Sequence, residues 1–274
     1  MEQVRFGIIG CGVIAPIHAQ AIQETPRAKL VAASDVVERN ARLLAERWPV
    51  DVYTDYRDMI ARDDIDAVSL CVPSGLRAAI AEDCASDERL IPSWAILPPQ
   101  TGELGTVDEF LAAMRDAGVR ALWAYPEKHR YVLNATTMGG LLEEASDRGI
   151  PLFIDRREVP GSGLYALADN VLRDFPRLRL CVCAHGSWGE DRYFRPLMER
   201  YPNFMVGTSR YELDGGIEEI CRTYGPERLL LGTNFPEAPM GGPILTLLHA
   251  AISDSDRELI AGGNLRRILE EVRL

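Results

Sequence analysis

Residues 4–15 of this chain are VRFGIIGCGVIA, a short apolar run that ends in a glycine-rich turn. The apolar run predicts a buried parallel strand, and Gly10, Gly12 and Ala15 form the pattern G-x-G-x-x-A directly after it. In this pattern the first glycine permits a tight turn, and the second lets the backbone approach a pyrophosphate. The alanine lets the next helix pack closely on the strand, and the N–H groups at that helix start face the phosphates.

An acidic residue follows at the distance that this motif requires. The run LVAASD predicts a second strand that ends in Asp35, about 20 residues beyond the glycines. A carboxylate at that place binds the ribose hydroxyls and repels a 2′-phosphate, so we expect NAD rather than NADP. Together with the glycine turn, this predicts a Rossmann-type dinucleotide-binding unit.

The rest of the N-terminal part continues the alternation of strands and helices. Residues 39–48 and 55–63 have helical apolar spacing, and residues 52–54 and 66–73 are apolar enough for strands. This is the βαβαβ order of a parallel sheet. A polar, alanine-rich helix is predicted over residues 76–89. We expect a Rossmann half-domain over residues 1–85.

A second alternation begins after that helix and extends to the C-terminus. Six apolar runs predict strands at residues 91–97, 120–126, 150–156, 178–185, 204–210 and 229–236. Helices are predicted at residues 107–118, 140–148, 165–173, 194–200 and 216–224, and near the C-terminus. Six βα repeats predict a partial (β/α) barrel over residues 86–274, because a full barrel has eight strands. The expected fold class is therefore α/β, a parallel-sheet Rossmann half-domain joined to a partial barrel.

The first 80 or so residues resemble the Gfo/Idh/MocA oxidoreductases. The matching segments are RFGIIGCGVIAPIHAQAI, LVAASD and YTDYRDMIARDDIDAVSLCVPSGL. The resemblance implies an NAD(P)-binding half in which His18 and Pro73 lie close to the cofactor. The family continues to a Glu-Lys-Pro segment whose lysine serves catalysis. This chain has no such segment after VPSGL, and Arg77 stands where the family commonly has histidine.

Residues from about 89 to 274 resemble the amidohydrolase-related (family 2) metal-dependent hydrolases, which are TIM barrels. The matching segments are RLIPSWAILPPQTGEL, LCVCAHGSWGEDRYFRPLMERYPN, GPERLLLGTNFP and LIAGGNLRRIL. The resemblance implies that His185 corresponds to a late histidine ligand and that Asn234 replaces the family's aspartate. The first-strand His-x-His is missing, and Asp155 and Arg156 stand at the mid-barrel position. A catalytic zinc needs three or more protein ligands, so we expect no bound divalent metal and take His185 and Asn234 as catalytic candidates.

Other polar and aromatic residues follow the predicted barrel strands. Because active sites of βα barrels lie at the carboxyl ends of the strands, they are candidates for binding a small acidic or aromatic substrate. They are Trp94, Glu127, Lys128, Arg156, Trp188, Arg192, Ser209 and Arg210. His129 follows a predicted strand and could approach the barrel mouth, whereas His249 lies in an apolar helix and is interpreted as a packing or surface residue.

Composition excludes several classes of partner. The formal net charge of −11 argues against binding to nucleic acids or anionic membranes. No apolar run approaches the roughly 20 residues of a membrane-spanning helix, and the N-terminus does not resemble a signal peptide. The six cysteines include no CxxC pair, and Cys181 and Cys183 are expected on one face of a strand as buried thiols. We therefore expect a cytoplasmic protein.

Three functions remain open at this point. The first is an NAD(P)-binding oxidoreductase-like protein whose barrel part holds a small-molecule substrate. The second is a metal-dependent hydrolase impaired by its missing ligands, and the third is a catalytically inactive fusion. Open sheet edges are a liability, so the N-terminal strands either form a separate domain or pair with the barrel's edge. A homo-oligomer would also cover these edges.

Overall fold

A computed structural model describes residues 3–26, 28–72, 80, 83, 91–185, 190–234 and 241–274. Contacts between Cα atoms divide the chain into two compact units, Met1–Ile91 and Pro92–Leu274. The domain boundary predicted between residues 85 and 86 lies outside the described residues and stays a prediction. The helix predicted over residues 76–89 falls almost entirely outside them as well.

The first unit contains a parallel sheet in the order β3-β2-β1-β4. Its strands are β1 (Val4–Ile9), β2 (Ala28–Ser34), β3 (Asp51–Tyr53) and β4 (Ala67–Leu70). Its helices are α1 (Ala15–Glu24), α2 (Glu38–Arg47) and α3 (Tyr56–Ile60). This is the strand order of the first half of a Rossmann sheet, and it reverses direction at β1. Ligands of such sheets bind beyond the carboxyl ends of the strands at this switch point.

The second unit contains a parallel sheet whose strands follow one another in chain order. They are β5 (Ser93–Ile96), β6 (Ala121–Ala124), β7 (Leu152–Asp155), β8 (Leu180–Cys183), β9 (Phe204–Gly207) and β10 (Leu229–Leu230). The helices are α4 (Val107–Asp116), α5 (Ala135–Arg148), α6 (Gly163–Asp174), α7 (Asp191–Arg200), α8 (Gly216–Tyr224), α9 (Gly241–His249), α10 (Asp254–Glu258) and α11 (Asn264–Glu270). The predicted six βα repeats are confirmed.

Two element boundaries differ from the prediction for local reasons. Helix α5 begins at Ala135 rather than at residue 140, because Asn134 accepts a hydrogen bond from the N–H of Thr137 at 3.0 Å and caps the helix. Strand β10 has only two residues where eight were predicted. The N–H of Leu231 donates to the carbonyl of Ile260 at 3.0 Å, outside the sheet, and the φ of 55° at Asn234 is incompatible with an extended strand.

The second sheet has a different environment on each face. One face packs against the surrounding helices in a large apolar core that includes Leu180 and Val182 of β8. The opposite face carries Cys181 together with Phe153 and Met205 from the neighbouring strands, and Ile268 of α11 packs against it. The side-chain alternation of β8 therefore places its two cysteines on the second face, as the sequence predicts.

Among the described helices, none combines the length and apolar character needed to cross a membrane.

Candidate functional site

The glycine turn of the first unit is shaped by the close approach of β4. Gly10 has a φ of +88°, which favours glycine. A Cβ at this position would lie 2.7 Å from Cγ1 of Val72 and 2.9 Å from the carbonyl of Cys71. The turn therefore requires glycine here for the fold itself, both because of its conformation and because of its neighbours.

Gly12 differs from Gly10, because no neighbouring atom among the described residues requires a glycine at this position. A Cβ placed on Gly12 would meet no atom within 4 Å, and the side chain of Val13 is 98% exposed. No acceptor among the described residues bonds the N–H groups of Gly12, Val13 and Ile14. The turn thus leaves open space in front of unpaired amides at the start of α1. A bound diphosphate would fill that space and accept from those amides.

The carboxylate of Asp35 faces the same turn. Its Oδ2 accepts the N–H of Cys11 at 2.7 Å. Its Oδ1 accepts the N–H of Val37 at 2.8 Å and a weaker bond from the Asn40 amide at 3.4 Å. An ionised carboxylate offers about four acceptor positions, so one remains for a ribose hydroxyl. The predicted pairing of the acid with the glycine turn is thus present in the geometry.

Three further residues of this region were singled out by the sequence or lie in the turn. Nδ1 of His18 lies 2.8 Å from the hydroxyl of Ser69 on β4, and burial lowers the pKa of this histidine. Burial and the neighbouring Asp35 raise the pKa of the Cys11 thiol to about 12, so it stays protonated at neutral pH. Pro73, predicted to contact the cofactor, lies outside the described residues.

In the second unit, the chain turns sharply where β8 ends. Ala184 has a φ of 59°, a left-handed conformation that is uncommon for a residue with a side chain. Its N–H donates to Oγ of Ser209 at 3.0 Å, which holds the turn. Because of this turn, the His185 ring folds back against its own strand, where Nε2 lies 3.0 Å from the carbonyl of Val182.

His185 belongs to a buried chain of polar side chains. The carbonyl of Val182 can only accept, so Nε2 carries a proton and Nδ1 accepts from the Tyr165 hydroxyl at 2.8 Å. The same hydroxyl lies 2.7 Å from Oε2 of Glu190. Tyr165 has a single hydroxyl proton, which Nδ1 and the carboxylate therefore share as alternative acceptors. Oε1 of Glu190 pairs with the Arg156 guanidinium at 2.6 Å. We call these four side chains the His185 network.

Burial determines the protonation of this network. His185 is fully buried, and burial lowers its pKa despite the opposing effect of Glu190. Burial and the hydrogen bond to Glu190 raise the pKa of Tyr165, so its hydroxyl keeps the proton. Neither Tyr165 nor Glu190 was identified from the sequence. No spacing along the chain connects the two residues, and only the folded chain brings them close together.

We expect the stability contributed by His185 to depend on pH. In the unfolded chain the histidine has a pKa of about 6.5, and in the folded chain its pKa is lower. Between these two pKa values the unfolded chain therefore binds more protons than the folded one. The contribution is therefore complete above about pH 6.5 and is lost as the pH falls below it. The difference in unfolding free energy between wild type and His185→Gln should shrink towards about pH 5.5 in urea titrations. A difference that stays constant over this pH range would contradict this.

Asn234, the second catalytic candidate, belongs to a separate hydrogen-bonded group. Its Oδ1 accepts a long bond of 3.4 Å from the Arg157 guanidinium, which also bonds Asp155 at the end of β7. Burial opposes ionisation of Asp155, but the hydrogen bonds from Arg157 outweigh it and lower the pKa of that carboxyl. Arg157 thus joins the carboxyl ends of β7 and β10. The catalytic roles of His185 and Asn234 stay predictions.

Most of the remaining strand-end candidates are exposed. Trp94 packs against Phe110, and Lys128 is exposed although it pairs with the buried Glu158 at 3.0 Å. Glu127, His129, Arg192, Arg210 and His249 are exposed. Trp188 lies outside the described residues.

The described residues do not fit the divalent metal of the hydrolase resemblance. Both ring nitrogens of His185 are engaged, with Val182 and with Tyr165. Within the described ranges, no group of three or more His, Cys, Asp or Glu side chains is arranged to hold an ion. We therefore derive no chemistry through a metal at this position.

The fold and these sites define a two-unit α/β protein with a dinucleotide-type turn and a barrel-related sheet. The amidohydrolase family model matches residues 45–270, and the chain belongs to this family. The match begins inside α2, earlier than the resemblance predicted at residue 89. An uncharacterized TIM-barrel protein from Bordetella bronchiseptica has a TM-score of 0.58 over 99% of both chains at 19% identity, which supports the α/β barrel-related fold.

Two of the curated relatives of this chain are oxidoreductases. The uncharacterized oxidoreductase YrbE of Bacillus subtilis is 33% identical over 119 residues, which are 43% of this chain and 34% of that protein. An inositol 2-dehydrogenase of Rhizobium meliloti is 39% identical over 80 residues, 29% of this chain and 24% of that enzyme. The chain thus spans about a third or less of the length of these relatives. Both predicted resemblances are confirmed.

Proposed function

We propose that this chain binds NAD in the glycine turn of its first unit and acts as an oxidoreductase-like protein. A small-molecule substrate would be held by the second unit. One observation carries the proposal: Asp35 is bonded to the N–H of Cys11, next to open space at Gly12. That pairing places a ribose acceptor beside a diphosphate cradle, as dinucleotide binding requires. The oxidoreductase relatives of the chain support it.

Each residue of the turn would have a distinct role in binding. Gly10 closes the turn, Gly12 leaves room for the diphosphate, and Ala15, which is fully buried, lets α1 pack on the sheet. Asp35 accepts a ribose hydroxyl, and Pro73 borders the cofactor. NAD would supply the site that gains or loses a hydride.

The second unit would contribute the residues that face the substrate. We propose that Asn234 and Arg157 contact it at the carboxyl edge of the sheet, where βα barrels bind their ligands. His185 would act through the buried Tyr165 and Glu190, because its ring nitrogens are already paired. We also propose a cytoplasmic location, a homo-oligomer, and no nucleic-acid or membrane partner for this acidic chain.

We expect Asp35→Asn to weaken NADH binding by about tenfold, about 1.4 kcal/mol, because a neutral amide accepts more weakly from a hydroxyl. The preference for NADH over NADPH should also narrow, since the variant no longer repels the 2′-phosphate. Calorimetric titration of both cofactors measures the two effects. Asp58→Asn, an exposed carboxylate of α3, is the control and should bind as wild type does. Equal affinities for wild type and Asp35→Asn would refute the role of Asp35.

A metal-dependent hydrolase is the second candidate, because the amidohydrolase match covers residues 45–270. Elemental analysis of the purified chain, followed by activity assays with added zinc or manganese, tests it. Stoichiometric metal with metal-dependent hydrolysis would establish this function. A catalytically inactive fusion predicts instead that alanine at His185 or Asn234 changes only stability.

A further inference from the structure

Two cysteines of β8 form a sulfur pair that the proposed function does not use. Cys181 and Cys183 lie two positions apart on one strand, and their Sγ atoms are 3.9 Å apart. Both are free thiols. Cys181 is fully buried, whereas Cys183 is half-buried at the carboxyl end of the strand. The sulfur of Cys181 is therefore enclosed by the core, and that of Cys183 is accessible from the carboxyl end of the sheet.

Neighbouring strands complete the surroundings of the sulfur pair. Met205 of β9 is the direct cross-strand partner of Cys181 and belongs to the same packed cluster, which brings a thioether to this face. Gly207, also on β9, lies beside Cys183, and a Cβ there would be 3.3 Å from its sulfur. The β9 side of Cys183 thus carries no side chain at the sulfur. On the β7 side its direct partner is Asp155, whose carboxylate is bonded to Arg157.

The spacing of the two sulfurs matches a metal chelate. Metal–sulfur bonds of about 2.3 Å hold two sulfurs about 4.0 Å apart at the trigonal angle of a three-coordinate ion, whereas a linear two-coordinate ion would hold them about 4.6 Å apart. Thiolate and thioether donors select soft ions such as Cu(I), and structural zinc needs four ligands. Within the described residues, no third His, Cys, Asp or Glu joins the pair in a metal-binding group. We propose that Cys181 and Cys183 form a Cu(I) site, with Met205 as a neighbouring soft donor.

Binding at this site is an exchange of protons for the ion. The hydrogen bond with Cys183 and burial both raise the pKa of the Cys181 thiol, so it is protonated at neutral pH without metal. On binding, both S–H bonds break, two S–Cu bonds form, and the two protons pass to solvent. Copper stays Cu(I) and each sulfur stays a thiolate, so no oxidant or reductant takes part.

Competition for Cu(I) under anaerobic conditions tests the site on the full, reduced chain. The protein is titrated into the coloured Cu(I) complex of bicinchoninate, and loss of colour reports transfer of the ion. Wild type should remove one equivalent, while Cys181→Ser and Cys183→Ser should each weaken binding by about 100-fold. Met205→Leu, which conserves side-chain volume, should weaken it less. Cys221→Ser, a half-buried thiol on α8, is the matched control and should bind as wild type does.

Three results would overturn the proposal: no competition by wild type, full uptake by Cys183→Ser, or an equal loss in Cys221→Ser. Circular dichroism checks that each variant is folded. Should Cys181→Ser fail to fold, Cys183→Ser decides, because that side chain is only half-buried. NADH affinity is measured on the same variants and should not change, so the outcome is independent of the proposed cofactor site.

Discussion

Gly12→Val is expected to reduce NADH affinity by at least about 100-fold, about 2.7 kcal/mol, while leaving the folded protein as stable as wild type. The branched side chain would stand in the space through which a diphosphate must approach the amides of the turn. In the free protein that space is open, since a Cβ at Gly12 meets no atom within 4 Å. The stability change should therefore stay within about 0.5 kcal/mol, as for ordinary surface substitutions.

Gly10→Ala is the matched control, because its unfolding free energy should fall, whereas that of Gly12→Val should not. The φ of +88° costs a residue with a Cβ about 1–2 kcal/mol, and contact with the Cys71 backbone adds to this cost. We expect the variant to lose about 2–4 kcal/mol of unfolding free energy. Calorimetric titration with NADH and urea denaturation measure both variants. The cofactor proposal is wrong if Gly12→Val binds NADH as tightly as wild type.

Glu190→Ala should cause the largest loss of stability among changes at the His185 network. The substitution leaves Arg156 without its partner at 2.6 Å and removes one of the two acceptors of the Tyr165 hydroxyl. Removing one member of a buried ion pair costs about 3–5 kcal/mol. The Arg156 side chain is 24% exposed, so solvent screens part of this loss, and we expect about 2–3 kcal/mol.

Glu144→Ala provides the comparison for an exposed pair in the same unit. Glu144 pairs with Arg148 one turn away on α5, and both side chains are about two-fifths exposed. Such pairs contribute about 0.3–0.5 kcal/mol. Urea denaturation followed by circular dichroism measures both variants. Equal effects of the two substitutions would show that the His185 network does not stabilise the second unit.

A double-mutant cycle distinguishes a connected network from independent contacts. Tyr165→Phe and Glu190→Ala remove two members that lie 2.7 Å apart. If they act together, the two losses should fail to add by at least about 1 kcal/mol. Full additivity would mean that Tyr165 and Glu190 stabilise the protein separately.

The candidate site was only partly predictable from the sequence. Gly10, Gly12 and Asp35 were found because a glycine turn and an acid at the end of the next strand have a defined spacing in the chain. His185 was found from the resemblance to the amidohydrolase-related hydrolases, in which it corresponds to a late histidine ligand. Tyr165 and Glu190 were missed, because a tyrosine near a helix start and a glutamate before another helix are ordinary residues until a fold joins them.

The amino-acid sequence by itself determined the order of the described strands and helices in each unit, although it misplaced the start of α5 and the end of β10. Apolar periodicity and turn residues act within a few neighbours along the chain, so VRFGIIGCGVIA specifies a strand, a turn and a helix start before any distant contact forms. The tertiary structure alone decided which side chains meet. Parallel pairing and chain turns such as that at Ala184 bring together His185 and Tyr165, which are distant in the chain, and no local spacing encodes their 2.8 Å contact.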